Sequence, residues 1–192
     1  MKKYLLLFLV SVYSFGQSVA DPRLIVSRTT PMTLSTSWQE VIYTGTEAGK
    51  TMNTFGKDPV TGKFAFDYNV STNLFTYNEF YPHNFNLLFE FRTTSTVIST
   101  KATLQLRFAI PNGISAGVDL NFPFENQGGY IDVYDVSLFN FAVNNKPFVL
   151  PLYIGDLLKA NGFKIYVKLS TATVGGTTID YTSLSIQGIA RN

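Results

Sequence analysis

Phe163-Lys164-Ile165-Tyr166-Val167-Lys168-Leu169 reads apolar, basic, apolar, mixed, apolar, basic, apolar. That is the period of two in which successive side chains point to opposite sides of an extended chain. A strand built this way buries Phe163, Ile165, Val167 and Leu169 on one face and shows Lys164, Tyr166 and Lys168 to water. Three more stretches carry the same pattern. Phe64, Phe66, Tyr68 and Val70 alternate with Lys63, Ala65, Asp67 and Asn69. Phe85, Leu87, Phe89 and Phe91 alternate with Asn86 and Glu90, broken only by Leu88 on the polar side. Leu104, Leu106, Phe108 and Ile110 alternate with Thr103, Gln105 and Arg107.

Working outward from these four, weaker strand signals lie at 23–27, 34–43, 118–124, 131–141, 148–154 and 178–189. The run from Ile131 changes phase between Leu138 and Phe139, which predicts a bulge or a change of sheet there. Turn chemistry falls between the strands at Pro59-Val60-Thr61-Gly62, Pro111-Asn112-Gly113, Gln127-Gly128-Gly129, Asn144-Asn145 and Gly175-Gly176, because tight connections need proline or positive-φ residues. A single short helix is expected from Asp156 as N-cap to Gly162 past the C-terminus. About nine or ten strands at hairpin spacing, without alternating helices, predict an all-β fold, an antiparallel β-sandwich of the jelly-roll type.

With 192 residues there is room for one domain, expected over 21–192. Charged residues are 15% and aromatic residues also 15%, with 17 Phe and 11 Tyr, too apolar for disorder and suited to strands. No cysteine is present, which excludes disulfides, thiol catalysis, iron–sulfur clusters and cysteine-zinc sites. Residues 1–20 read as a leader: Lys2 and Lys3 precede the apolar run Tyr4 to Phe15, and small residues precede Gln17 and Asp21. The run is short of the roughly 20 residues that span a bilayer and suits a signal peptide, so export is expected. Contact with a membrane would come only through residues 4–15, if they are retained. Without residues 1–20 the balance of 15 basic and 13 acidic residues becomes 13 and 13, since only Lys2 and Lys3 leave. A charge near zero argues against a nucleic-acid partner, which calls for clustered Lys and Arg.

Catalytic chemistry finds little support. The one histidine is His83, and no Gly-x-Ser-x-Gly elbow accompanies it, against a hydrolytic triad or a His-rich metal site. Asp132 and Asp135 lie close together, with Glu79, Glu90, Asp119 and Glu125 on or beside strands. Positions 132 and 135 differ by an odd number, so on a regular strand they face opposite sides and cannot form a glycosidase pair. A calcium site from Asp132, Asp135 and Glu125 lacks the Asp-x-Asp-x-Asp-Gly spacing. The glycine pairs lack the Lys or helix that a phosphate loop needs. No cofactor or metal is expected, and the chain reads as non-enzymatic.

The unusual local composition is Phe75-Thr76-Tyr77-Asn78-Glu79-Phe80-Tyr81-Pro82-His83. Four aromatics between strands require burial, as a short edge strand or inside the fold or an oligomer, or else a partner to cover them. Phe80 is expected to be buried. Tyr77 and Tyr81 are expected to be exposed as a contact surface, because a tyrosine joins a large apolar ring to a polar tip.

Leu34-Ser35-Thr36-Ser37-Trp38-Gln39-Glu40-Val41, the Phe85 to Arg92 strand, the Leu104 to Asn112-Gly113 hairpin and the closing Ile179 to Ile189 strand together resemble the trimeric jelly-roll heads of the tumour-necrosis-factor and complement globular-head type. The likeness is greatest to those of bacteriophage fibre, spike and head-decoration proteins, and covers roughly residues 33 to 190. It implies a homotrimer on a virion surface or an extracellular assembly. Its partners would be itself, other virion or surface-assembly proteins and a host receptor or glycan. The rival reading is a secreted bacterial carbohydrate-binding β-sandwich.

Overall fold

The computed structural model describes residues 22–44, 52–79, 83–95, 102–111, 131–135, 144–154, 156–173 and 175–188. Among them the strands are β1 (Arg23–Arg28), β2 (Met32–Thr33), β3 (Gln39–Glu40), β4 (Met52–Asn53), β5 (Phe66–Asn69), β6 (Leu74–Tyr77), β7 (His83–Ser95), β8 (Thr103–Ala109), β9 (Ile131–Asp135), β10 (Asn144–Ile154), β11 (Lys164–Leu169) and β12 (Thr177–Gly188), with helix α1 (Asp156–Asn161) before β11. One sheet runs β10-β7-β12-β1-β4, with β2 also on β12; a second runs β3-β11-β8-β9; β5 and β6 form a hairpin. Every pairing is antiparallel, so the protein is all-β with antiparallel sheets.

Alternation decides which side of each strand is dry. In β7, Phe85, Leu87, Phe89 and Phe91 are buried, as are Leu104, Leu106 and Phe108 in β8 and Ile165, Val167 and Leu169 in β11. These inward rows meet between the two large sheets: Phe89 lies 6.1 Å from Phe108, centroid to centroid, and Phe108 packs edge-on to Phe163 at 5.6 Å. The sheets therefore form a β-sandwich. Burying each such side chain contributes about 1.5–3 kcal/mol, which lets a chain without disulfides hold together. The β5–β6 hairpin adds Phe66, which touches Phe85 of β7 at 5.0 Å and Phe163, the residue before β11, at 6.2 Å.

Where expectation and structure part, a local cause is visible. The Phe64 to Val70 strand is confined to Phe66–Asn69, because the Asn69 side chain accepts hydrogen bonds from Ser71 and Thr72 N–H and turns the chain. Val70, expected inward, is therefore 48% exposed. The 34–43 strand is interrupted. Gln39 accepts from Ser35 N–H and donates to the Thr33 carbonyl, closing a loop that carries the chain from β2 in the larger sheet to β3 in the smaller one. Asn144-Asn145, expected as a turn, lies in β10 opposite Thr93 and Arg92; an eleven-residue ladder outweighs the local preference of two asparagines. The segments 118–124 and 136–141, the phase change at Leu138 and the turns at 112–113 and 127–129 lie outside the described residues.

Helix α1 ends where the sequence placed its end. Gly162 has φ +68° and donates its N–H to the Leu158 carbonyl at 2.7 Å. A Cβ on Gly162 would sit 2.5 Å from the Phe75 carbonyl oxygen, so both backbone sign and space require glycine. That close approach lets Phe75 and Phe163 exchange two 3.0 Å backbone bonds, fastening the hairpin to the entry of β11.

Candidate functional site

The aromatic segment singled out in the sequence divides in two. Leu74–Tyr77 is β6, in which Phe75 and Tyr77 point inward and are 1% and 7% exposed. The Tyr77 ring stands 5.3 Å from Phe85 and 6.0 Å from Phe66. Tyr77 is thus corrected from rim to core: it shares the phase of Phe75, and that phase faces the sandwich. Phe80 and Tyr81 lie outside the described residues.

Beneath this segment is a polar aromatic nest. The Tyr68 hydroxyl accepts from Tyr43 N–H at 3.1 Å and lies within donating distance of the Tyr43 carbonyl, 3.0 Å, and Asn73 Oδ1, 3.1 Å. Burial pushes the Tyr68 hydroxyl up to about 12. The fully buried Tyr43 hydroxyl is raised further by desolvation, against a smaller opposing contribution from the Thr182 hydroxyl. Both hydroxyls are thus held neutral within the core.

The carboxylates also behave differently from a regular strand. In the β8–β9 ladder Thr103 stands opposite Asp135 and Gln105 opposite Asp132, with a register shift between Leu104 and Gln105. The register shift means that regular-strand parity does not apply across this stretch. Asp132 accepts a 2.8 Å hydrogen bond from the Gln105 amide. Among the described residues no group of three or more His, Asp or Glu is arranged to hold a metal ion. No helix among them is long and apolar enough to cross a membrane.

The two outer faces hold what chemistry the surface offers. On the β3-β11-β8-β9 sheet, Lys164 makes a two-pronged contact with Glu40, 3.0 and 3.2 Å. Arg107 lies between two rings, 4.5 Å from the Trp38 centroid and 5.1 Å from Tyr166, while the Lys168 ammonium is 4.7 Å from the same Trp38 ring. Such cation–π contacts are each worth about 0.5–2 kcal/mol. The alternation of Lys164, Tyr166 and Lys168 signalled that this face is polar, but nothing in the sequence paired it with Trp38.

The outer face of the larger sheet is built differently. Antiparallel register brings Val149 opposite Leu88, Leu88 opposite Ser185, Ser185 opposite Ile25 and Ile25 opposite Met52. Val149 is 59% and Met52 47% exposed, and Leu88, Ser185 and Ile25 are half-buried between them. Exposed Pro147 and Pro151 flank Val149 in the same phase, followed by Tyr153, 45% exposed. Sequence reading missed this row, because its members come from five separate segments.

No family model matches the chain, and no curated protein matches it. Among solved structures, PRD1 vertex protein P5 is similar with a TM-score of 0.48 and 9% sequence identity, over 91% of this chain and 76% of that chain. A likeness at that level assigns the chain neither a family nor an activity.

Proposed function

We propose that this is an exported, non-enzymatic structural and binding protein. In this reading it is a jelly-roll spike, fibre head or capsid-decoration module that assembles as a homotrimer and is displayed on a virion or secreted assembly. Other surface-assembly proteins and a host receptor or glycan are its partners, and residues 1–20 are the leader that exports it. The observation that carries the reading is the contrast between a filled interior and a partly apolar surface. The described core is occupied throughout by aromatic and aliphatic side chains, while the outer face of the larger sheet presents large apolar side chains in register. A contiguous apolar surface row of this kind marks a contact surface.

Strand order supports the jelly-roll part. The pairs β1 with β12, β3 with β11, β7 with β10 and β8 with β9 are nested one inside another and assigned alternately to the two sheets, as when an antiparallel ribbon is rolled on itself. Tyr81 remains a proposed contact residue; Tyr77 does not, since it is buried. The test is the mass of the protein made in its natural setting. Light scattering is expected to give three times the protomer mass, and intact mass a chain beginning at Gln17 or Asp21. A monomer at micromolar concentration that binds oligosaccharide would replace this reading with the carbohydrate-binding one.

A further inference from the structure

Resting on the oligomer proposed above, we infer that the outer face of the β10-β7-β12-β1-β4 sheet is the surface on which one copy of this chain meets the next. Three observations converge on a copy of the chain as the occupant. First, the apolar row Val149, Leu88, Ile25 and Met52 runs from one edge of the sheet to the other, interrupted only by the small Ser185. Isolated exposed apolar residues need no explanation, but a contiguous row in register does.

Second, the charges beside the row are balanced. The neighbouring rows hold Pro147, Glu90, Ser183 and Ser27 on one side and Pro151, Asn86, Gln187 and Arg23 on the other. Within these three rows one acid and one base stand on opposite sides, and exposed Arg92 in the next row lies over the Tyr181 ring at 5.7 Å, so the strip itself presents no net charge to the neighbouring copy of a closed ring. The opposite sheet, with Lys164, Lys168, Arg107, Glu40 and Asp132 outward, already engages much of its charge internally. Third, the area falls within the range of stable interfaces. At strand spacings of about 4.8 Å and a rise of about 3.3 Å per residue, the five strands present about 700 Å², in the lower part of the roughly 600–1,000 Å² per partner of standard interfaces.

The experiment is sedimentation velocity on the natural mature protein across nanomolar to micromolar concentration, with three single variants. Val149→Arg and Met52→Arg place a cation at either end of the row. Val60→Arg does the same at a turn residue that is 90% exposed and remote from the sheet face in sequence. Wild type and Val60→Arg are expected to associate equally, and each row variant at least tenfold more weakly. Circular dichroism of the dissociated protein is expected to be unchanged, because both row positions are about half exposed. If either row variant does not fold, Val149→Ser, which only trims apolar surface, is read by the same criterion. Wild type and row variants associating alike would overturn the assignment of this face while leaving the trimer standing. A wild-type chain that stays monomeric at every concentration would overturn both.

Discussion

The two outer faces of the sandwich start from the same inward pattern and finish differently. On the smaller sheet, the outward residues find partners within the chain: Lys164 with Glu40, Gln105 with Asp132, and Arg107 between Trp38 and Tyr166. On the larger sheet, the central outward row is Leu88, Ser185 and Ile25, and the apolar side chains Met52 and Val149 at its two ends stand half in water. One face is finished by its own side chains, while the other leaves apolar atoms of Val149 and Met52 in contact with water. Period-two alternation specifies which residues go inward on both, and says nothing about which outer face will be self-sufficient.

The largest effect should come from below both faces. Phe163 is 1% exposed and touches Phe66, Phe75 and Phe108, so Phe163→Ala is expected to cost about 3–5 kcal/mol, read by denaturant unfolding. A loss under about 1 kcal/mol would mean that the shared interior does not hold the two faces together. Next comes the alkaline limit of that interior. Tyr68 is raised from 10 to about 12, and Tyr43 is raised further. The native state therefore keeps protons that the unfolded chain releases above pH 10. Stability from both groups is fully present below pH 10; that from Tyr68 is lost as pH rises through about 12, and that from Tyr43 at higher pH. Melting curves between pH 8 and 12 are expected to stay level and then fall, and Tyr68→Phe should flatten the first part of the fall.

The smallest effects separate the faces themselves. Trp38→Ala removes one ring from two cations and is expected to destabilise the chain by about 1–2 kcal/mol. Val149→Thr, at a 59% exposed site, should stay within about 0.5 kcal/mol in the dissociated protein. Equal costs at the two sites, measured at nanomolar concentration, would erase the distinction between a finished and an unfinished face.

Much of the fold was legible because burial of one strand face imposes a period that survives in a single sequence. Phe85 to Phe91, Leu104 to Ile110 and Phe163 to Leu169 all point where alternation sends them, and Gly162 ends its helix as expected. What was not legible is what depends on register between strands. Phe75 and Tyr77 kept the period of two, but a four-residue strand among polar residues gives too short a run to distinguish from a loop. The parity of Asp132 and Asp135 assumed a regular strand, and one extra residue in β9 cancels it. Trp38 meets Arg107 and Lys168 across gaps of 69 and 130 positions, and the Val149 to Met52 row exists only once five strands have been laid side by side. Sequence periodicity is a property of one strand; a site on a sheet is a property of several.

Pro147 and Pro151 lie four residues apart in β10, the outermost strand of its sheet among the described residues. They therefore share one phase of the ladder, and a residue without an N–H is tolerated where that group would point away from β7. Two of the donors that a further strand would grip are thus missing from the free border. Border-to-border pairing of one copy with another is thereby disfavoured, which leaves side-chain packing as the easier way for copies to meet.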